Sequence, residues 1–269
     1  MVIAHDDRGV LEVALVRPDR RNALTPESLA QLTLAVGAHL PEHARCILLY
    51  GQGRAFCAGF DLDLCRDHPD GSMMRALLTG LSEAVLKLRL ARPPVVIAVH
   101  GAAVAGGCAL LGGADFVVAD RAAKIGYPVV RMGISPAVSG PFLRLAIGDG
   151  RARERMLDHQ LIDAVEAHRL GLVHELVATP DEVLPRARAI ARELAEKPPY
   201  VMAMTRAWLN EIDEQGGLFE RTPHRQPPPD APHSPWIDPR GKDVLALEAS
   251  LSLTGGAEEQ TRLAAFWAR

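Results

Sequence analysis

Two glycine-rich turns constrain this chain more than any other feature: Phe56-Cys57-Ala58-Gly59-Phe60-Asp61 and Ala105-Gly106-Gly107-Cys108-Ala109. Each follows a short apolar run and opens a helical pattern, so each reads as a strand-to-helix junction. The first N–H groups of such a helix have no intrahelical partner and point, with the partial positive charge of the helix end, at a single place. Two such bends converging would stabilise an oxygen that turns negative during a reaction, each donor worth roughly 2.7–4 kcal/mol of barrier. Taken singly, either turn reads first as an ordinary junction with glycines kept for packing.

The elements around the turns set the fold class. Val10 to Val16 alternates, Cys46 to Tyr50 and Val95 to Val99 are short apolar runs, and Asp115 to Ala119 is another, all reading as strands. Thr25 caps a helix with Pro26 at its first position and Glu27 in its first turn, and an amphipathic helix is expected over about 72–91. Strand, turn and helix in this rhythm imply a largely parallel sheet with helical crossovers. Beyond it, helices are expected over about 151–158, 163–170, 181–196, 199–214 and 243–268. The chain therefore divides into an α/β core over 1–195 and a C-terminal helical region over 196–269. The latter contains a Pro-rich insert at about 221–240. That insert cannot continue a helix; it carries His224, His233, Trp236 and Asp238 and reads as a loop, a lid or an oligomer-contacting arm.

Charge and length narrow the partners. Lys+Arg 30 against Asp+Glu 33 gives a net charge of −3, which disfavours a nucleic-acid footprint or general attraction to anionic membranes. No apolar run approaches the length of a membrane span, and no basic start followed by an apolar stretch opens the chain. The cysteines Cys46, Cys57, Cys65 and Cys108 have no CxxC spacing and read as reduced, buried thiols. A soluble, cytoplasmic protein is expected.

With their flanks, the turns become specific. The segments Arg17-Pro18-Asp19-Arg20-Arg21-Asn22-Ala23-Leu24, Gly53 to Leu62 and His100-Gly101 through Gly106-Gly107-Cys108 resemble the crotonase (enoyl-CoA hydratase/isomerase) superfamily. So do Ile125-Gly126-Tyr127-Pro128 through Ile134, and Ala164 through Val173. The resemblance implies a spiral of ββα turns with a C-terminal helical region, assembled as trimers or pairs of trimers. It implies an acyl-CoA or acyl-carrier thioester whose carbonyl oxygen sits between the N–H groups of Phe60 and Gly106. It also implies adenine near the Ala58–Leu62 backbone and CoA phosphates near Arg20 or Arg21, which otherwise read as solvated turn charges. Coenzyme A would enter as part of the substrate, and no separate cofactor or metal is expected.

The pattern breaks where protons should move. Hydratases of that family carry one glutamate two residues past the second glycine of the turn and another just after the Tyr/Gln-Pro step. Here those positions are Ala109 and Val129. Neither side chain can exchange a proton, and losing such a group typically forfeits roughly 10²–10⁴-fold in rate. Hydration is therefore disfavoured, and decarboxylation, isomerisation or thioester hydrolysis fits better; a catalytically silent acyl-CoA-binding or assembly protein is the competing expectation. Tyr127 is either a proton donor or a packed aromatic. Asp61 reads as a helix-start carboxylate, Asp63 and Asp67 as exposed, and His100 as a structural histidine or a titrating group.

Overall fold

Why the two turns meet is visible in the strand pairing. A computed structural model of the chain describes residues 2–215, 247, 251 and 254–268. Among the described residues nine strands form two sheets: β1 (Val2–Asp7), β2 (Val10–Leu15), β3 (Cys46–Gly51), β4 (Val95–Val99), β6 (Phe116–Asp120) and β9 (Glu175–Val177) make the larger, in that order. Apart from the antiparallel β1–β2 hairpin, its neighbours are parallel. The smaller sheet orders β5 (Ala102–Val104), β7 (Lys124–Gly126) and β8 (Ile162–Asp163). Thus β4 runs directly into β5 and β6 into β7, each pair stepping from the large sheet to the small one before the chain turns away.

Isolated parallel bridges join Cys57 to Ala103 and Leu24 to Phe60. The first glycine turn is therefore stitched alongside β5, the strand that delivers the chain into the second turn. Gly107 stands against Cys57: a Cβ there would come within 2.5 Å of the Cys57 carbonyl oxygen, so only glycine fits.

Helices close both faces of the large sheet. α1 (Pro26–Val36) starts on a capping box between Thr25 and Ser28 with Pro26 at its first turn, as its sequence predicts. With α2 (Ser72–Leu90) it buries Leu29, Leu32, Leu77 and Leu88 against the strands. On the opposite face α6 (Pro180–Ala195) covers Cys46, Leu48 and Val96, and its Arg188 forms a two-pronged ion pair with the buried Glu12 at 2.8 and 2.7 Å. The second turn opens α3 (Gly106–Leu110); α4 (Gly140–Leu157), α5 (Ala164–Leu170), α7 (Pro199–Gln215) and α8 (Ala257–Trp267) complete the helices named here.

The structure corrects the sequence reading at several points. Helical residues begin at Gly140, ahead of the expected 151–158, because Pro141 lies in a first turn where proline is tolerated; Gly148, at non-helical φ +75° and ψ 163°, divides α4 into two helical pieces, and the second contains the expected helix. The segment after the first glycine turn is only a 3₁₀ turn, Leu62–Cys65. β1, β9 and the small sheet's three-residue and two-residue strands were too short or too polar to announce themselves. All four cysteines are free and buried, as expected. The Pro-rich insert at 221–240, with His224, His233, Trp236 and Asp238, lies outside the described residues.

Candidate active site

A cleft of about 490 Å³ opens over both turns. Ala58, Phe60 and Leu62 from the first turn, Gly106 and Ala109 from the second, and Arg20, Arg21, Tyr127 and Val129 all contribute to its wall. A Cβ built on Gly59 would stand 3.6 Å from the backbone nitrogen of Gly106 and 3.0 Å from the Ala105 Cβ. One built on Gly106 would meet the Phe60 ring at 3.2 Å. The turns are thus in van der Waals contact, and Gly59, at φ +95°, has a conformation suited to glycine.

The direction of the Phe60 amide follows from the bridge. Leu24 donates its N–H to the Gly59 carbonyl at 2.7 Å and accepts from the Asp61 N–H at 2.9 Å. In a parallel bridge of this form, the residue between those two, Phe60, turns its own N–H to the other side. Gly106 is the first residue of α3, where an N–H has no partner within the helix. Among the described residues, no acceptor is paired with either amide. Backbone conformation is unusual here too: among the described non-glycine residues only Arg8, Arg21, Asn22 and Ala105 have positive φ, and the last three border the turns.

Proton-carrying groups are scarce at the cleft's inner wall. Ala109 is buried, Val129 packs against the core, and Leu78, Leu81, Met132, Ile134, Val138 and Phe266 make the surrounding surface apolar. Asp61 lines the cleft but is engaged: its carboxylate takes a hydrogen bond from the Arg17 guanidinium at 2.7 Å. It makes no cap, so its structural role is an ion pair rather than the helix-start contact its position predicts. Asp63 is exposed and shared by Arg20 at 2.9 Å and Arg66 at 3.1 Å. Asp67 is exposed as well. His100 bonds through Nε2 to the Gly53 carbonyl at 3.0 Å, a structural histidine.

Tyr127 and Ser139 are buried hydroxyl-bearing residues of this wall, and the structure sets the two side by side. Burial, reinforced by the adjacent Cys108 thiol, holds the Tyr127 phenol well above the ordinary tyrosine value, while a hydrogen bond from Ser139 opposes part of that rise. It is a neutral O–H donor throughout the physiological range. Cys57 and Cys108 flank the amides, and burial pushes both thiols up to about 12, so neither is a nucleophile near neutrality. The sequence reading missed the Arg17–Asp61 pair, the Ser139–Tyr127 contact and Phe266, each depending on residues far apart in the chain. Among the described residues no cluster of His, Cys, Asp or Glu could hold a metal, and no helix is long and apolar enough to cross a membrane.

Comparison with known proteins identifies the family. The 1,2-epoxyphenylacetyl-CoA isomerase of Escherichia coli is 32% identical over 79% of this chain and 82% of its own length. The crotonyl-CoA hydratase of Syntrophomonas wolfei is 33% identical over 78% and 81%. The crystal structure of an enoyl-CoA hydratase from Mycobacterium smegmatis superposes with a TM-score of 0.73 at 31% identity, covering 78% of this chain and 82% of that one. Residues 5–217 match the enoyl-CoA hydratase/isomerase family as a whole. The crotonase fold and these matches together place the chain in the enoyl-CoA hydratase/isomerase family, whose members act on acyl-CoA substrates.

Proposed function

We propose that the protein binds an acyl-CoA thioester, holds its carbonyl oxygen between the N–H groups of Phe60 and Gly106, and stabilises the enolate that forms there without help from a protein carboxylate. The supporting observation is a pair of unpartnered amides on touching turns beside a cleft lined by Ala109 and Val129, where the family resemblance would call for glutamates. Arg20 and Arg21 at the cleft edge are the cations available to the CoA phosphates, and the Ala58–Leu62 backbone the surface for its adenine.

Decarboxylation of a 2-carboxyacyl thioester suits this wall best. The C–C bond to the carboxylate breaks and CO₂ leaves. The bonding pair becomes the enolate, whose negative oxygen is held by the two amides. The α-carbon then takes a proton from the neutral Tyr127 hydroxyl or from water, and the carbonyl re-forms. No base is required to start the reaction, whereas hydration needs a base for the water and an acid for the carbon.

Purified protein is tested against malonyl-, methylmalonyl-, crotonyl-, 3-enoyl- and saturated acyl-CoA. The reading expects CO₂ release from a 2-carboxyacyl-CoA and negligible hydration of crotonyl-CoA. Rapid hydration would contradict it. Isomerisation or thioester cleavage would keep the oxyanion pair and replace the reaction, and tight binding with no conversion would make the protein a silent acyl-CoA binder.

A further inference from the structure

The two proposed donors are held by different means. The Gly106 amide is fixed by a helix, with Ala105 N–H bonded to the Gly126 carbonyl at 2.8 Å and Ala109 N–H to the Ala105 carbonyl at 2.9 Å. The Phe60 amide has no α-helix behind it, only a 3₁₀ turn without a side-chain cap. Its direction depends on the two bonds to Leu24, and Leu24 ends an irregular segment in which Arg21 and Asn22 both have positive φ.

One side chain closes that segment onto the turn. Arg17 donates from Nη1 to the Ala23 carbonyl at 2.7 Å and from Nη2 to Asp61 Oδ2 at 2.7 Å. Ala23 precedes Leu24, and Asp61 follows Phe60, so the guanidinium spans both sides of the bridge that aims the amide. Its own main chain is held in turn: Arg17 N–H donates to Asn22 Oδ1 at 2.9 Å, and Asn22 Nδ2 donates to the Gln52 and Ala55 carbonyls at 2.8 Å each. The Arg17 and Asp61 side chains are only 26% and 10% exposed, so the pair is shielded from the screening that weakens surface ion pairs. A second consequence is electrostatic. Asp61 puts a carboxylate next to the residue that must receive a developing anion, and Arg17 neutralises it.

We infer that Arg17, acting through Asp61, is the positioning residue for the Phe60 donor. This rests on the oxyanion reading above. Its role differs from that of Arg20 and Arg21, which face the cleft opening: Arg17 sets how strongly the carbonyl is polarised rather than how well CoA is held.

The test uses butyryl-CoA carrying ¹³C at the thioester carbonyl, bound to the full-length protein and read by isotope-edited infrared spectroscopy. In wild type the carbonyl stretch moves to lower wavenumber on binding. In Arg17→Ala about half of that displacement is lost while the dissociation constant changes less than about threefold, and millimolar guanidinium restores the displacement. Asp61→Asn, which keeps shape and one hydrogen bond, loses less than Arg17→Ala and supplies the test if Arg17→Ala does not fold. For a substrate that turns over, kcat falls about tenfold or more with KM within about twofold, since full loss of one donor costs roughly 10²–10³. Wild-type displacement in both folded variants overturns the role of Arg17. Absence of any displacement in wild type overturns the oxyanion reading itself, a separate outcome.

Discussion

The second glycine turn is held by backbone, the first by a backbone bridge that side chains brace, and the cleft lies over both. At Gly106 a helix start, a tight glycine contact and two main-chain hydrogen bonds determine where the amide points. At Phe60 the same result depends on Arg17, Asn22 and Asp61, which tie an irregular loop to the bridge at Leu24. A main-chain device tolerates changes in surrounding side chains; a side-chain device can be altered one residue at a time. The same division runs through the proposed chemistry, for the amides belong to the backbone, whereas an acid and a base would have to come from side chains, and Ala109 and Val129 can supply neither.

The largest expected effect comes from introducing such side chains. Ala109→Glu combined with Val129→Glu supplies an acid and a base to a cleft whose amides are already in place, and crotonyl-CoA hydration should rise at least about 10²-fold. No gain in a folded double variant that still binds acyl-CoA would mean that the amides are not aligned on the thioester.

Next, Gly106→Pro removes the main-chain donor at a helix position where proline is tolerated, although it also distorts the turn. Its kcat should fall roughly 10²–10³-fold. Unchanged activity in a folded variant would refute that donor.

Asn22→Ala probes the side-chain-braced half. It strips the buried Ala55 carbonyl and the part-buried Gln52 carbonyl of a donor and leaves alanine at φ +56°, so a stability loss of about 1–3 kcal/mol is expected in chemical denaturation. A smaller loss would show the first turn to be more self-supporting than its contacts imply.

The gentlest probe is alkaline pH. Burial raises Cys46, Cys57 and Cys108 from 9.0 to about 12 and Cys65 to about 11. The folded state therefore keeps protons that the unfolded chain releases above pH 9. Stability from this source is complete below pH 9 and is lost as pH rises towards 12. Thermal unfolding between pH 8 and 11 should show a falling Tm, with Cys57→Ala and Cys108→Ala each lessening the slope. A flat profile would mean that these thiols are less buried than described.

Local chemistry made much of this legible in the sequence. Thr25-Pro26 announced α1, the β-branched run at Val95–Val99 announced a central strand, and the paired glycine turns marked the cleft. What stayed hidden depends on contacts between distant residues. The small sheet's short strands carry little periodicity, and Asp61 could be read as a helix-start carboxylate because nothing local reveals that Arg17, 44 positions away, reaches it. Likewise Tyr127 showed its phenol but not Cys108 and Ser139, the partners that hold it. Pro141 and Gly148 hid the first piece of α4: the proline lies in its first turn, where it is tolerated, and Gly148 does interrupt the helix, leaving a short piece ahead of the expected one.

A crystal structure with bound butyryl-CoA tests the central claim most directly. The account predicts the thioester oxygen at roughly 2.7–3.1 Å from both the Phe60 and Gly106 nitrogens, with the acyl chain against Ala109 and Val129. A carbonyl held by one amide only, or bound away from both, would contradict it.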